Sequence, residues 1–70
     1  MIRESVVSSN LESVGYDQTH CILEIECQSG GVYQYFNVPI QEFTALLGAS
    51  SKGQYFHVYI KGRYRYSRIS

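Results

Sequence analysis

The stretch "CILEIECQSGGVYQYF", residues 21–36, narrows the folds open to this chain more than any other. Its side chains alternate in character on both sides of a glycine pair, and only an extended strand has a side-chain period of two. In "CILEIEC", Cys21, Leu23, Ile25 and Cys27 share one face, while Ile22, Glu24 and Glu26 share the other. "QSGG" supplies glycines that accept positive φ, so the chain reverses there. In "VYQYF", Val32, Gln34 and Phe36 fall on one face and Tyr33 and Tyr35 on the other. The pattern predicts a hairpin half-buried in an antiparallel sheet. "LESVGYD" adds a strand before it, joined by "DQTH", a turn whose Asp and Thr side chains bond locally.

"NVP" ends this three-stranded meander. Pro39 suits the first turn of a helix. "IQEFTALLG" reads as that helix, with Ile40, Phe43 and Leu47 at i, i+3, i+7, Leu46 beside them, and Gly48 as the C-terminal cap. "QYFHVYI" fits two periods: Tyr55, Phe56, Tyr59 and Ile60 form a helical stripe, yet the segment also alternates like a strand. Ser50 and Ser51 are good N-cap residues and favour the helix, which Gly62 stops. "RYRYSRI" reads as extended, with Tyr64, Tyr66 and Arg68 on one side and Arg63 and Arg65 on the other. The expected fold is α+β, a single domain over residues 1–70. It comprises a small three-stranded antiparallel meander, one or two helices and an extended basic C-terminal segment.

Seventy residues bury only a thin core. Self-association into a homodimer or tetramer is the expected source of further buried area. Cys21 and Cys27, as the ends of one strand, stand roughly 20 Å apart and cannot bridge each other. Unpaired thiols point to a reducing cytoplasm. No His and Cys set completes a zinc site, so neither metal nor cofactor is expected. No stretch approaches the roughly 18 apolar residues of a membrane span, and no signal peptide is legible.

Charge is distributed unevenly. Residues 1–42 carry one basic and six acidic side chains, whereas residues 43–70 carry five basic and no acidic ones. Net charge is zero, which argues against a continuous track for long nucleic acid. Three local features suit an anionic, flat ligand. "SSKG" (Ser50, Ser51, Lys52, Gly53) precedes the second helix, where free N–H groups attract anions; the plainer alternative is an N-cap and turn. Tyr33 and Tyr35 share a strand face, where rings can stack on bases or simply cover a core. "KGRYRYSR" interleaves Lys61, Arg63, Arg65 and Arg68 with Tyr64 and Tyr66, as a phosphate-and-base contact set or as an edge guarded by charge. Tyr55 and His57 flank these segments as further ligand contacts. Arg3 lies near a terminus expected to fray. No Ser-His-Asp or Cys-His arrangement is legible, so no catalytic residue is assigned.

Taken in order, "SSNLESVGYD", the alternating strand, "SGGVYQYFNVP", "ALLGASSKGQYF" and "IKGRYRYSRI" resemble a KTSC domain from Val6 to Ile69. That family is named after the C-terminal extension of some lysyl-tRNA synthetases and also occurs as short stand-alone bacterial and phage proteins. The chain departs from it at Arg65, where relatives often carry Pro, and in "HVY", where a more polar run is common. The resemblance implies a small α+β fold, with RNA binding suggested. A stand-alone chain of this kind is expected to act by binding, not by catalysis. The favoured partner is a nucleotide or other small anionic ligand, such as a cyclic dinucleotide sequestered as phage anti-defence sponges do. A single-stranded RNA or tRNA module and a protein assembly module stay open as alternatives.

Overall fold

The computed structural model describes all residues from Met1 to Ser70. Five strands, β1 (Arg3–Ser5), β2 (Leu11–Asp17), β3 (Ile22–Cys27), β4 (Val32–Tyr35) and β5 (Tyr66–Arg68), form one sheet in sequence order with every neighbour antiparallel. Between β4 and β5 the chain forms α1 (Ile40–Gly48) and α2 (Lys52–Tyr55), and α2 runs on into a π-helical turn, Phe56–Ile60. The α+β class and the central meander are as the sequence predicts, and residues 54–60 are helical, not extended. The strand count is five instead of three. Both additional strands are three-residue edges, β1 on β2 and β5 on β4, and pieces so short carry no alternation to read. No helix is long and apolar enough to cross a membrane.

The core lies between the sheet and the helices. Val14, Leu23, Ile25 and Tyr35 from the strands meet Val38, Leu46, Phe56 and Ile60. Leu11 joins them because β2 has a register shift between Leu11 and Ser13. Strict alternation would put Leu11 and Val14 on opposite faces; one extra residue in the strand lets both point inward. Beyond the core, Tyr16 stacks on Phe43 at 5.1 Å between ring centroids and donates its hydroxyl to the Val38 carbonyl. Burial and the neighbouring Cys21 push the Tyr16 phenol up from its ordinary value.

The opposite face of the sheet is polar and organised around Glu24, only 7% exposed. Register aligns Arg3, Gly15, Glu24 and Gln34 in one row across four strands. Arg3 Nη1 donates to Glu24 Oε2 from two strands away, and Gln34 Nε2 donates to Glu24 Oε1 at 2.9 Å. The row needs a glycine at position 15. A Cβ there would stand 2.8 Å from the Ile2 carbonyl oxygen and 3.0 Å from Arg3 Cγ, blocking both β1 and the path of the arginine. Arg3 is therefore a strand residue with a buried partner, not a charge on a frayed end.

Three local details also differ from the sequence reading. Cys21 sits in the turn before β3 with φ of 56°, because the reversal opened by the Asp17 Asx turn closes through a left-handed residue. Gly48 ends α1 without positive φ; Ala49 caps it in extended conformation, its N–H bonding back to the Leu46 carbonyl. Pro39 stands just before the helix, not inside its first turn.

Candidate functional site

Two adjoining clefts open beside α2 and the π-helical turn. The larger, about 660 Å³, is bounded by the β1–β2 and β3–β4 loops and by α2. Half of its lining is amide and hydroxyl, with Asn10, Gln28, Ser29, Ser51 and Gln54 among them, and Leu11, Cys27 and Phe56 add apolar surface. The smaller, about 350 Å³, is walled by Tyr33, Tyr35, Phe56 and Tyr66. Cys27, Ser29, Phe56 and Lys61 belong to both, so the clefts form one groove with a shared middle. The combined size lies in the range of small-ligand sites.

The groove exists because of three local choices in the chain. Leu11 pairs with Cys27, and the Gln28 N–H donates to the Asn10 carbonyl at 2.9 Å, bringing "SSN" beside "CQS". Gly53 lets that loop approach α2: a Cβ there would meet Asn10 Nδ2 at 2.7 Å. The π-helical turn then widens the helix, with the Lys61 N–H donating to the Phe56 carbonyl five residues back at 2.8 Å. Phe56 and Ile60 thereby reach the core while His57 and Lys61 border the groove. Single π turns within helices recur at functional positions.

Aromatic packing shapes the smaller cleft. β4–β5 register puts Tyr35 opposite Tyr66 and Tyr33 opposite Arg68. Tyr66 tilts against both tyrosines, 5.4 Å from Tyr35 and 6.0 Å from Tyr33, and the Arg68 guanidinium lies 5.7 Å from the Tyr33 ring centre. Tyr66 is 59% exposed. Tyr35 is 3% exposed, its edge against Phe56 at 5.4 Å, and burial pushes its phenol up to about 12. Tyr35 thus builds the floor of the cleft, which removes it as a free stacking platform; a thin core takes the ring instead.

The sequence-predicted residues divide into three groups. Ser51, Gly53, His57, Lys61, Tyr33, Tyr35 and Tyr66 meet at the groove, with Arg68 on Tyr33. Lys52 and Ser50 lie elsewhere: Lys52 Nζ donates to the Ala49 carbonyl at 3.2 Å, and both residues border a shallow hollow beside Val7 and Ser8. "SSKG" is thus split between this hollow, which Ser50, Ser51 and Lys52 border, and the groove, which Ser51 and Gly53 line. Ser51 is also the N-cap, its hydroxyl accepting from the Gln54 N–H, and Gly53 serves the close approach of Asn10. Arg63, Tyr64 and Arg65 border an open hollow with Gly62 and Tyr66, apart from Lys61.

Tyr55 and Tyr64 have a structural partner that the sequence does not reveal. Both hydroxyls donate to the Glu42 carboxylate, Tyr64 at 2.7 Å, tying α1 to α2 and to the segment before β5. The bond to Glu42, with burial behind it, pushes the Tyr55 phenol up to about 12. Burial first, then the same carboxylate, raises Tyr64. Glu42 is 13 residues from Tyr55 and 22 from Tyr64, beyond any local motif. Asn10, Gln28, Ser29 and Gln54 also escape sequence reasoning, because polar loop residues announce only a loop.

Ion pairing leaves the basic half free. The pairs are Arg3 with Glu24 and Glu26, and His20 with Asp17, whose carboxyl is held down chiefly by the His20 ring. Lys61, Arg63, Arg65 and Arg68 take part in none of them.

The KTSC domain model matches residues 7–64. This chain belongs to the KTSC domain family. The structure of a KTSC domain protein from Yersinia pestis is similar at a TM-score of 0.96 and 38% identity, over 99% of this chain and 97% of that one. A lysine–tRNA ligase of Trichormus variabilis is 44% identical over 62 residues, which are 89% of this chain and 11% of the ligase. An uncharacterized protein of Stutzerimonas stutzeri is 46% identical over 70 residues, 99% of both chains. The KTSC domain here thus spans nearly the whole of one relative and a small part of the other. Tyr66 and Arg68 fall beyond the residues that the family model matches.

Proposed function

We propose that this KTSC domain is a non-catalytic binding module for a small ligand of the nucleotide class, held in the groove and released unchanged. The observation that carries the reading is the exposed Tyr66 ring beside Tyr33 and Arg68, in a cleft whose rim holds the unpaired Lys61. A ring face suits a base, and an ammonium suits a phosphate. Binding without turnover is supported by the setting of the histidines. His57 borders the groove away from any carboxylate in its lining, and His20 pairs with Asp17 in the distant β2–β3 turn. Two free thiols fit a reducing cytoplasm.

A second reading, single-stranded RNA, is favoured by one finding: lysine–tRNA ligases are among the relatives, and their name implies a tRNA substrate. Titration with nucleotides and short RNAs at low and moderate salt separates the two. Nucleotide binding with shallow salt dependence is the expected result. Affinity confined to longer RNA and falling steeply with salt, as condensed counterions are released, favours the second reading. Nucleotide recovered as hydrolysed product in proportion to protein refutes the non-catalytic role. The expected homo-oligomer belongs to the same proposal; light scattering that gives an 8.0 kDa particle at micromolar concentration refutes that part.

A further inference from the structure

The two halves of the groove differ in chemistry and share one cation. The smaller half is aromatic, with Tyr33, Tyr35, Phe56 and Tyr66 around it. The larger half has no tyrosine and adds the carboxamides of Asn10, Gln28 and Gln54 and the hydroxyls of three serines to Leu11, Cys27, Phe56 and His57. Lys61 is the one Lys or Arg lining either half, and it stands where they join. A ligand that fills both halves therefore carries one flat apolar arm, one polar arm with hydrogen-bonding edges, and a single negative charge between them. A nucleoside triphosphate does not fit this description, because its charges cluster at one end and would need several cations.

Resting on the nucleotide reading above, we infer that the groove is built for two nucleosides joined by one phosphate. One base lies in the tyrosine cleft, the phosphate meets Lys61, and the second nucleoside presents its polar edges to Asn10, Gln54 and Ser29. The Gln28 side-chain N–H groups already serve the Ser8 and Leu11 carbonyls, so Gln28 offers only its carbonyl oxygen to that arm. The carboxamides of Asn10 and Gln54 can each donate and accept, which suits base edges and sugar hydroxyls.

The test titrates the protein with AMP, ATP and the dinucleoside monophosphate ApA, by calorimetry and by amide chemical-shift mapping. ApA is expected to bind about tenfold or more tighter than AMP, since a second base adds its own contacts. ATP is expected to bind no tighter than AMP. Gln54→Ala should weaken ApA by about three- to tenfold and leave AMP unchanged. Lys61→Ala should weaken both by about tenfold or more, with Lys61→Arg retaining binding. Gln54 and Lys61 are exposed, and unchanged melting of the free variants separates binding loss from misfolding. Equal affinities for AMP and ApA, with Gln54→Ala silent, overturn the two-armed ligand and leave the nucleotide reading intact. ATP bound more tightly than ApA does the same. No shift with any of the three overturns the nucleotide reading, and this inference with it.

Discussion

Replacing Arg3 with Ala should destabilise this domain far more than its place near the N-terminus suggests. Glu24 is 7% exposed and accepts from just two side chains, Arg3 and Gln34. Without Arg3, a nearly buried carboxylate keeps one neutral donor. Removing one member of a fully buried pair costs about 3–5 kcal/mol. The Arg3 side chain is 30% exposed, so solvent shares the charge, and about 2 kcal/mol is the better expectation. A 70-residue domain has on the order of 4–10 kcal/mol in all. At about 4–8 °C per kcal/mol, the melting temperature should fall by roughly 8–16 °C.

Denaturant and thermal unfolding of the wild type, Arg3→Ala, Glu24→Gln and the double variant measure this directly. Glu24→Gln removes the charge but keeps one acceptor oxygen for Arg3, and its new NH2 can donate to a flipped Gln34 carboxamide, so it should cost less than Arg3→Ala. The double variant should then cost less than the sum of the singles, because each loss already includes the broken pair. Gly15→Ala should be at least as damaging as Arg3→Ala, since its Cβ meets the Ile2 backbone at 2.8 Å as well as the Arg3 stem. Arg3→Ala within about 0.5 kcal/mol of wild type would refute the reasoning, because that is the value of an exposed ion pair.

Other outcomes follow from single contacts. Tyr35 and Tyr55 hold phenols pushed to about 12 from 10.0, so the unfolded chain loses those protons first; stability should be intact below pH 10 and decline from there to pH 12, and Tyr55→Phe should flatten the decline in alkaline melts. Gly48→Ala should raise stability by about 0.4–1 kcal/mol, because the site lacks positive φ and a Cβ there meets nothing within 4 Å; a fall in midpoint on denaturation would refute it. Gly53→Ala should lower stability by about 1 kcal/mol through the contact with Asn10, and adding Asn10→Ala should recover most of the loss.

Local pattern made part of this molecule legible. The alternation of residues 21–36 locates β3 and β4, and the spacing of Ile40, Phe43 and Leu47 locates α1. Ser51 as N-cap predicts a helix where periodicity alone was ambiguous. What pattern misses is set by long-range pairing. β1 becomes a strand because Gly15 leaves room for Arg3 to reach Glu24, a relation spanning 21 residues. The π-helical turn has no sequence signature, yet it ties the Lys61 N–H to the Phe56 carbonyl beside the groove. The tyrosines show the same division. Tyr66 keeps the exposed ring that its basic surroundings suggest, while Tyr35, Tyr55 and Tyr64 go to the core and to Glu42.

That division changes what zero net charge means. Of the six acidic side chains, Glu24, Glu26, Glu42 and Asp17 are engaged within the fold, by Arg3, Gln34, Ser13, two tyrosines and His20. In the basic half Lys52 donates to the Ala49 carbonyl and Arg68 to a Ser70 backbone oxygen while lying over Tyr33, but none pairs with an acidic side chain. Lys61, Arg63, Arg65 and Arg68 lie outside every ion pair, and the three arginines belong to β5 or the segment before it. The field an approaching anion meets is set by free charge, and beside the groove that charge is positive. A neutral chain can therefore attract a phosphate locally without being basic enough to hold a long polyanion. The proposed compact ligand centred on Lys61 matches that balance better than an extended strand of RNA does.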